Sequence, residues 1–416
     1  MSAALVPPTP RPVQLYGAEY KRCPYPLYAR LRDQGPVHRV EFPSGVVGWL
    51  VTGYDAALEA LSDDRLGKDH ALGNDDWRAL AAIMPEPQHS LLQVHLLHQD
   101  PPKHTAMRRP VSAALSPRVV ARLRPRLQET ADRLVDELPA HGPVDLVGAF
   151  AARFSFAALS AVIGLPEPLQ RRFRRDWCKV VQPVGPRSPH RAAYLALLEE
   201  LEAYIGDVVT EKRRRPDGDL LSELVAVNAD GDLSDAELSS MVFQLLVAGQ
   251  EPVTLMIGLA VLTLLERPDQ LERVRRGDVE PAVAVEELFR FDGSFELTTW
   301  RFFAEPTVLH GTRIPAGDPV IVALSAANRD AGRFADPDTL DLTRTPNPHL
   351  AFGHGIHFCP GAALARAEVE VAVRTLLRRL PGLRLEGGAD RLTWVPAVLT
   401  RGVTTLPVTY GDGGRR

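Results

Sequence analysis

Apolar residues recur every three or four positions over Val119 to Leu138 and Ala192 to Arg213, the spacing of helices that bury one face. Much of the chain from 105 to 285 follows the same rule, so the predicted class is mainly α. Shorter stretches alternate or are broken by Pro and Gly: Val37 to Phe42, Val46 to Thr52, Thr298 to Ile314 and Leu392 to Val408. These predict strands of small sheets flanking a helical body. Residues 184–190 and 214–219 predict loops. The longest apolar pattern runs from Asp235 to Glu266, opens with the capping box Ser234-x-x-Glu237 and stops before Pro268. A helix of that length is close to ~50 Å long. Met241 to Leu265 is almost wholly apolar, yet Gln244, Gln250, Glu251 and Pro252 interrupt its middle. One acid at a bilayer centre costs roughly 2.5 to 3.5 kcal/mol. The pattern therefore predicts a buried central helix with no membrane span, and its acid calls for a function.

The 416 residues are 45% hydrophobic and 24% charged, ordinary for a globular protein and unlike disordered, collagenous or small disulfide-bonded chains. No linker divides them, and we expect a single domain over 1–416 with residues 1–15 as a Pro-rich tail. The formal net charge is -4, which gives no electrostatic case for nucleic-acid binding. Five lysines stand against 43 arginines, a bias of composition with no functional meaning of its own. Cys23, Cys178 and Cys359 are too few, and odd in number, for a disulfide framework, which fits a reducing, cytoplasmic setting. The N-terminus lacks the basic and apolar regions of a signal peptide.

Residues 352–361 read Phe-Gly-His-Gly-Ile-His-Phe-Cys-Pro-Gly, and an amphipathic helix follows. Cys359 thus stands at a helix N-terminus, where Pro360 suits the first turn and the free amides favour a thiolate. The glycines let backbone approach a large ligand. Three readings fit such a cysteine. Zinc on His354, His357 and Cys359 would want a fourth ligand and CxxC-type spacing. A catalytic cysteine would need a distant His. The third reading is an axial thiolate on haem iron.

Over nearly the whole chain the sequence resembles the cytochromes P450, in particular their soluble bacterial class. Phe352, Gly353, Gly355, His357, Cys359 and Gly361 match the haem signature, with His357 at the place usually held by a basic residue. The resemblance implies a P450 fold, mainly α with small β-sheets, with haem b between the central helix and the Cys-loop helix and Cys359 as its iron ligand. It implies propionate contacts from His104 and Arg108 in HTAMRR, from Arg301 in TTWRFF and from His349 in PHLAFG. Glu287 and Arg290 match a structural ion pair, whose partner segment is 327–344. Thr339 and Leu340 stand there where Arg-Phe is common, leaving the third member of that network open.

Ala248-Gly249-Gln250-Glu251-Pro252 matches the oxygen-binding segment, where the family's usual run ends Glu/Asp-Thr. The acid is kept and the alcohol is replaced by Pro252, which frees the carbonyl of Ala248 without offering a proton. Thr254 lies about 200° further around the helix and does not substitute. Ordered water, Glu251 or a substrate hydroxyl must then serve. The implied activity is O2-dependent hydroxylation or epoxidation of a lipophilic small molecule, a tailoring step in secondary metabolism such as antibiotic biosynthesis. Phenol coupling, desaturation, rearrangement or peroxide-driven chemistry is the alternative that Pro252 raises, and a non-catalytic haem-fold recruitment protein is a remote one. Pocket walls are expected at Trp77, Met84, Leu92, Val94, Val247, Ala248, Leu297 and Leu399. Electrons would come from NAD(P)H through a separate ferredoxin reductase and ferredoxin, for which the Arg118 to Arg126 stretch offers a docking face.

Overall fold

The central helix occupies Asp235–Leu265, opened by a complete capping box: Ser234 accepts from the Glu237 amide and Glu237 accepts from the Ser234 amide. In this computed structural model, residues 12–80, 92–140, 142–181, 184 and 188–411 are described. The helix is long and apolar enough to cross a membrane, but 78% of its most apolar window is buried by other parts of the chain. Helices Pro117–Asp136, Ala152–Ile163 and Ala362–Arg379 pack around it in one apolar core. Leu159 presses so closely on Gly249 that an added Cβ would lie 2.5 Å from its Cδ1. That glycine is what lets the helix Ala152–Ile163 reach the oxygen-site segment.

A six-stranded sheet lies against this body, in the order Val13–Gln14, Val37–Glu41, Val47–Val51, Pro319–Val322, Arg301–Phe303 and Leu66–Gly67. Its last two strands pair antiparallel, Gly67 opposite Phe302, which brings Lys68 and Arg301 to the same edge. Two of the residues expected in the N-terminal tail belong to this sheet, Val13 and Gln14 pairing with Val40 and Glu41. Residues 1–11 of that tail lie outside the described residues. Of the strand expected over Leu392 to Val408, only Pro407–Thr409 is regular, inside a three-stranded sheet, and Trp394 bridges Val403 upstream.

Candidate active site

Between the central helix and the Cys loop lies a cavity. Its upper wall is a helical stripe, Met241, Gln244, Leu245, Ala248, Gly249, Pro252 and Val253, the i, i+3, i+4 spacing of one helix face. The lower wall is the loop from Phe352 to Gly361, which contributes Cys359. The loop's turn needs Gly355: its φ is +70°, and a Cβ there would sit 2.4 Å from the Leu61 carbonyl. The Cys359 amide donates to the Phe352 carbonyl at 2.9 Å. Burial pushes the Cys359 thiol up, while the Gly361 N–H, Arg108 and Arg366 pull it down. A bound metal ion would deprotonate it outright.

The cavity's rim is basic. Lys68, Arg301 and His357 line it, and His104 packs its ring 4.4 Å from that of His357. Burial, with Lys68, Arg301, His104 and Arg108 crowding it, holds His357 at about 2. Burial lowers Arg301 to about 10, and burial with the Arg301 charge holds Lys68 well below its ordinary value. Nε2 of His104, Nε2 of His357 and Nε of Arg301 are buried without a hydrogen-bond partner. Several buried, mutually repelling basic groups with orphaned nitrogens describe the receptor of an anion. A dianionic porphyrin edge over a lone thiolate fits that donor set. Zinc does not, since no cluster of three or more His, Cys, Asp or Glu suited to a metal occurs among the described residues.

Two of the residues expected at the propionates, Arg108 and His349, make other bonds in this structure. Arg108 turns to the Cys loop instead, donating to the Phe358 and Ile356 carbonyls at 2.5 and 3.3 Å and to Ser112 Oγ at 2.9 Å. His349 Nε2 is 3.0 Å from Glu286, and the Ala351 amide donates to its Nδ1, which anchors the ring behind the loop. His357, two residues before the cysteine, lines the cavity, and His349 does not. Lys68 was not expected; its ammonium meets Thr299 and the Trp300 carbonyl. The one sequence signal for it is a lone lysine at a strand end.

Most of the residues expected in the pocket lie off this cavity's lining. Ala248 lines the cavity, but Val247, one position and about 100° around the helix, faces the core. Leu297 belongs to a second core cluster while its neighbour Thr298 faces the cavity. Leu399 packs on that cluster and accepts backbone bonds from Glu296 and Leu297. Trp77 stacks edge-on against Phe302 at 4.7 Å, Leu92 lies in the main core and Val94 is exposed. Met84 lies outside the described residues. Leu96, Leu97, Met241, Gln244, Leu245, Ser294 and Phe295 take their places. Glu251 stands off the stripe, and burial raises its carboxyl to about 7 against the pull of Arg175. Thr254 is tied to Ser155 at 2.7 Å and to the Gln250 carbonyl at 2.9 Å, away from the cavity.

Nearly the whole chain is similar to proteins of one family. The cytochrome P450 family model matches residues 282–386. The chain is 41% identical to the monooxygenase PikC of Streptomyces venezuelae, over 96% of this chain and 95% of that protein. It is 39% identical to 6-deoxyerythronolide B hydroxylase of Saccharopolyspora erythraea, over 92% and 95%. Among solved structures, CxnD, described as forming a C–S bond in chuangxinmycin biosynthesis, superposes with a TM-score of 0.88 at 36% identity, covering 97% of this chain and 98% of that one. The tirandamycin C-bound monooxygenase TamI gives 0.87 at 36%, covering 96% and 100%.

The chain belongs to the cytochrome P450 family, in its bacterial class. It is a haem-thiolate monooxygenase of the kind used in secondary metabolism. When bound, the haem iron activates O2, with the thiolate pushing electron density to favour O–O cleavage.

Proposed function

We propose that the enzyme hydroxylates or epoxidises a lipophilic natural product carrying polar groups. Cys359 would hold the iron, and His104, His357, Arg301 and Lys68 would hold the propionates. The observation that supports this most is the wall facing Cys359, apolar at Leu96, Leu97, Met241 and Leu245 and polar at Gln244, Ser294 and Thr298. Such a surface suits a mid-sized apolar body bearing a few hydroxyls. Electrons come from NAD(P)H through a ferredoxin reductase and a ferredoxin. The exposed Ile356 and Phe358 of the Cys loop, beside Arg108, support docking on that face. The test is titration of the ferric holoenzyme with a panel of macrolactones, followed by product mass. A spin-state shift and the gain of one oxygen atom are expected, whereas a coupled or desaturated product would favour the alternative that Pro252 raises.

Proton supply is the point at which this chain departs from its family. Pro252 presents no hydroxyl to the cavity, so the proton passes through ordered water, with Glu251 as its source. Pro252→Thr is expected to leave coupling unchanged or improve it, read as product formed per NAD(P)H and as hydrogen peroxide released. A rise in peroxide would show that the site does not merely lack a donor. With its carboxyl near 7, Glu251 holds a proton below that pH and loses it above. Turnover should therefore fall as pH rises through about 7, and Glu251→Gln should flatten that limb while lowering the plateau about 10²-fold.

A further inference from the structure

Behind the Cys loop lies a charge cluster to which the propionates and the oxygen site lend no role. Arg366, on the second turn of the helix Ala362–Arg379, grips Glu286 with two bonds, Nε to Oε1 at 2.5 Å and Nη2 to Oε2 at 2.8 Å. Its guanidinium carbon lies 4.4 Å from the centroid of the Phe352 ring. The Phe352 carbonyl in turn receives the Cys359 amide. Glu286 also meets His349 Nε2 at 3.0 Å. Because His349 Nδ1 accepts from the Ala351 amide, Nε2 carries the proton and donates to Glu286. Burial pushes the Glu286 carboxyl up, but its bonds from His349 and Arg366 hold it at about 2, an anion throughout the working range.

Arg366 and Arg108 are the cations felt at Cys359. They differ in compensation. Arg108 spends its donors on Ser112 and two loop carbonyls, whereas Arg366 is neutralised by Glu286. The adjacent acid, Glu287, faces another network, with Arg290 and Arg344. We propose that Glu286 and Arg366 are positioning residues whose mutual compensation keeps the reduction potential of the thiolate-bound haem at the value that the thiolate's own donation gives, with His349 holding the acid in register. The physical basis is simple: adding an electron to the iron is favoured by net positive charge nearby and opposed by net negative charge. With both partners present the fields largely cancel and the thiolate's own donation sets the potential.

The pair therefore predicts shifts of opposite sign, which a merely structural clamp would not produce. Holoenzyme variants Glu286→Gln, Arg366→Gln, Arg366→Lys and the double Glu286→Gln/Arg366→Gln are titrated by spectroelectrochemistry. The ferrous carbon-monoxide spectrum of each checks that the thiolate is still bound. Glu286→Gln leaves Arg366 uncompensated and should raise the potential, with the reduction constant increased about tenfold, ~59 mV for one electron. Arg366→Gln should lower it by a similar amount, while Arg366→Lys and the double variant should stay near the wild type. Shifts of one sign in both single variants, or none in either, overturn the proposal. Should Glu286→Gln fail to hold haem, a potential in Arg366→Gln that does not fall overturns it alone. A wild-type protein without a thiolate-type carbonyl band would instead overturn the haem assignment.

Discussion

Cys359→Ser is expected to abolish the thiolate-type carbonyl band and to cut monooxygenase turnover by more than ~100-fold, beyond the range typical of losing an outer-shell partner. The argument rests on what the rest of the site can and cannot supply. The propionate receptor proposed for Lys68, Arg301, His357 and His104 does not involve the sulfur, so some porphyrin should still bind. The iron, however, would meet a hydroxyl held above the Gly361 amide. A neutral oxygen donor pushes far less electron density than a thiolate and does not promote O–O cleavage. The fold should persist, because the Cys359 backbone bond to Phe352 and the glycine turn do not depend on the side chain. Unchanged far-ultraviolet circular dichroism with a lost carbonyl band is the expected pair of results. A variant that kept the band would mean that another residue supplies the thiolate.

The parts of this site that were legible in the sequence are those built from one continuous stretch. The capping box at Ser234 and Glu237, the apolar stripe of the central helix and the Cys loop each carry their geometry in local spacing. What was not legible depends on how distant segments meet. His349 and His357 both precede Cys359 in one loop, and only the loop's left-handed turns decide which ring enters the cavity. Arg108 has the right spacing from His104, but its bonds to the carbonyls of Ile356 and Phe358 depend on where the Cys loop falls. Lys68 faces Arg301 only because Leu66–Gly67 pairs with Arg301–Phe303. Val247 and Leu297 could have been set aside from sequence, since each lies out of phase with a neighbour that lines the cavity. The third member of the Glu287 network, open at Thr339 and Leu340, is supplied by Arg344, whose Nε lies 3.2 Å from both Glu287 oxygens.

That network carries the largest expected effect on stability. Arg290 and Glu287 side chains are fully excluded from solvent and joined by two bonds, 2.7 and 2.8 Å long. Arg290 also donates to the carbonyls of Asn328, Pro337 and Thr339, while Glu287 accepts from Arg344, Asn347 and the Asp341 amide. Breaking a buried pair by removing one partner costs about 3 to 5 kcal/mol, because the other charge stays buried. The two truncations are not equivalent. Arg290→Leu leaves Glu287 with Arg344 and Asn347, so the main loss is three stranded carbonyls. Glu287→Leu leaves two guanidiniums facing each other without an acid and should lie at the upper end of the range. Arg344→Ala, at a partly exposed site, should cost about 1 kcal/mol. Asn328 ties this segment to the Cys loop through the Leu350 amide at 2.6 Å, so haem should be lost along with the fold in urea titrations of the holoenzyme. If Arg290→Leu proved costlier than Glu287→Leu, the carbonyl bonds, not the compensation of charge, would be what holds the segment 328–344 in place.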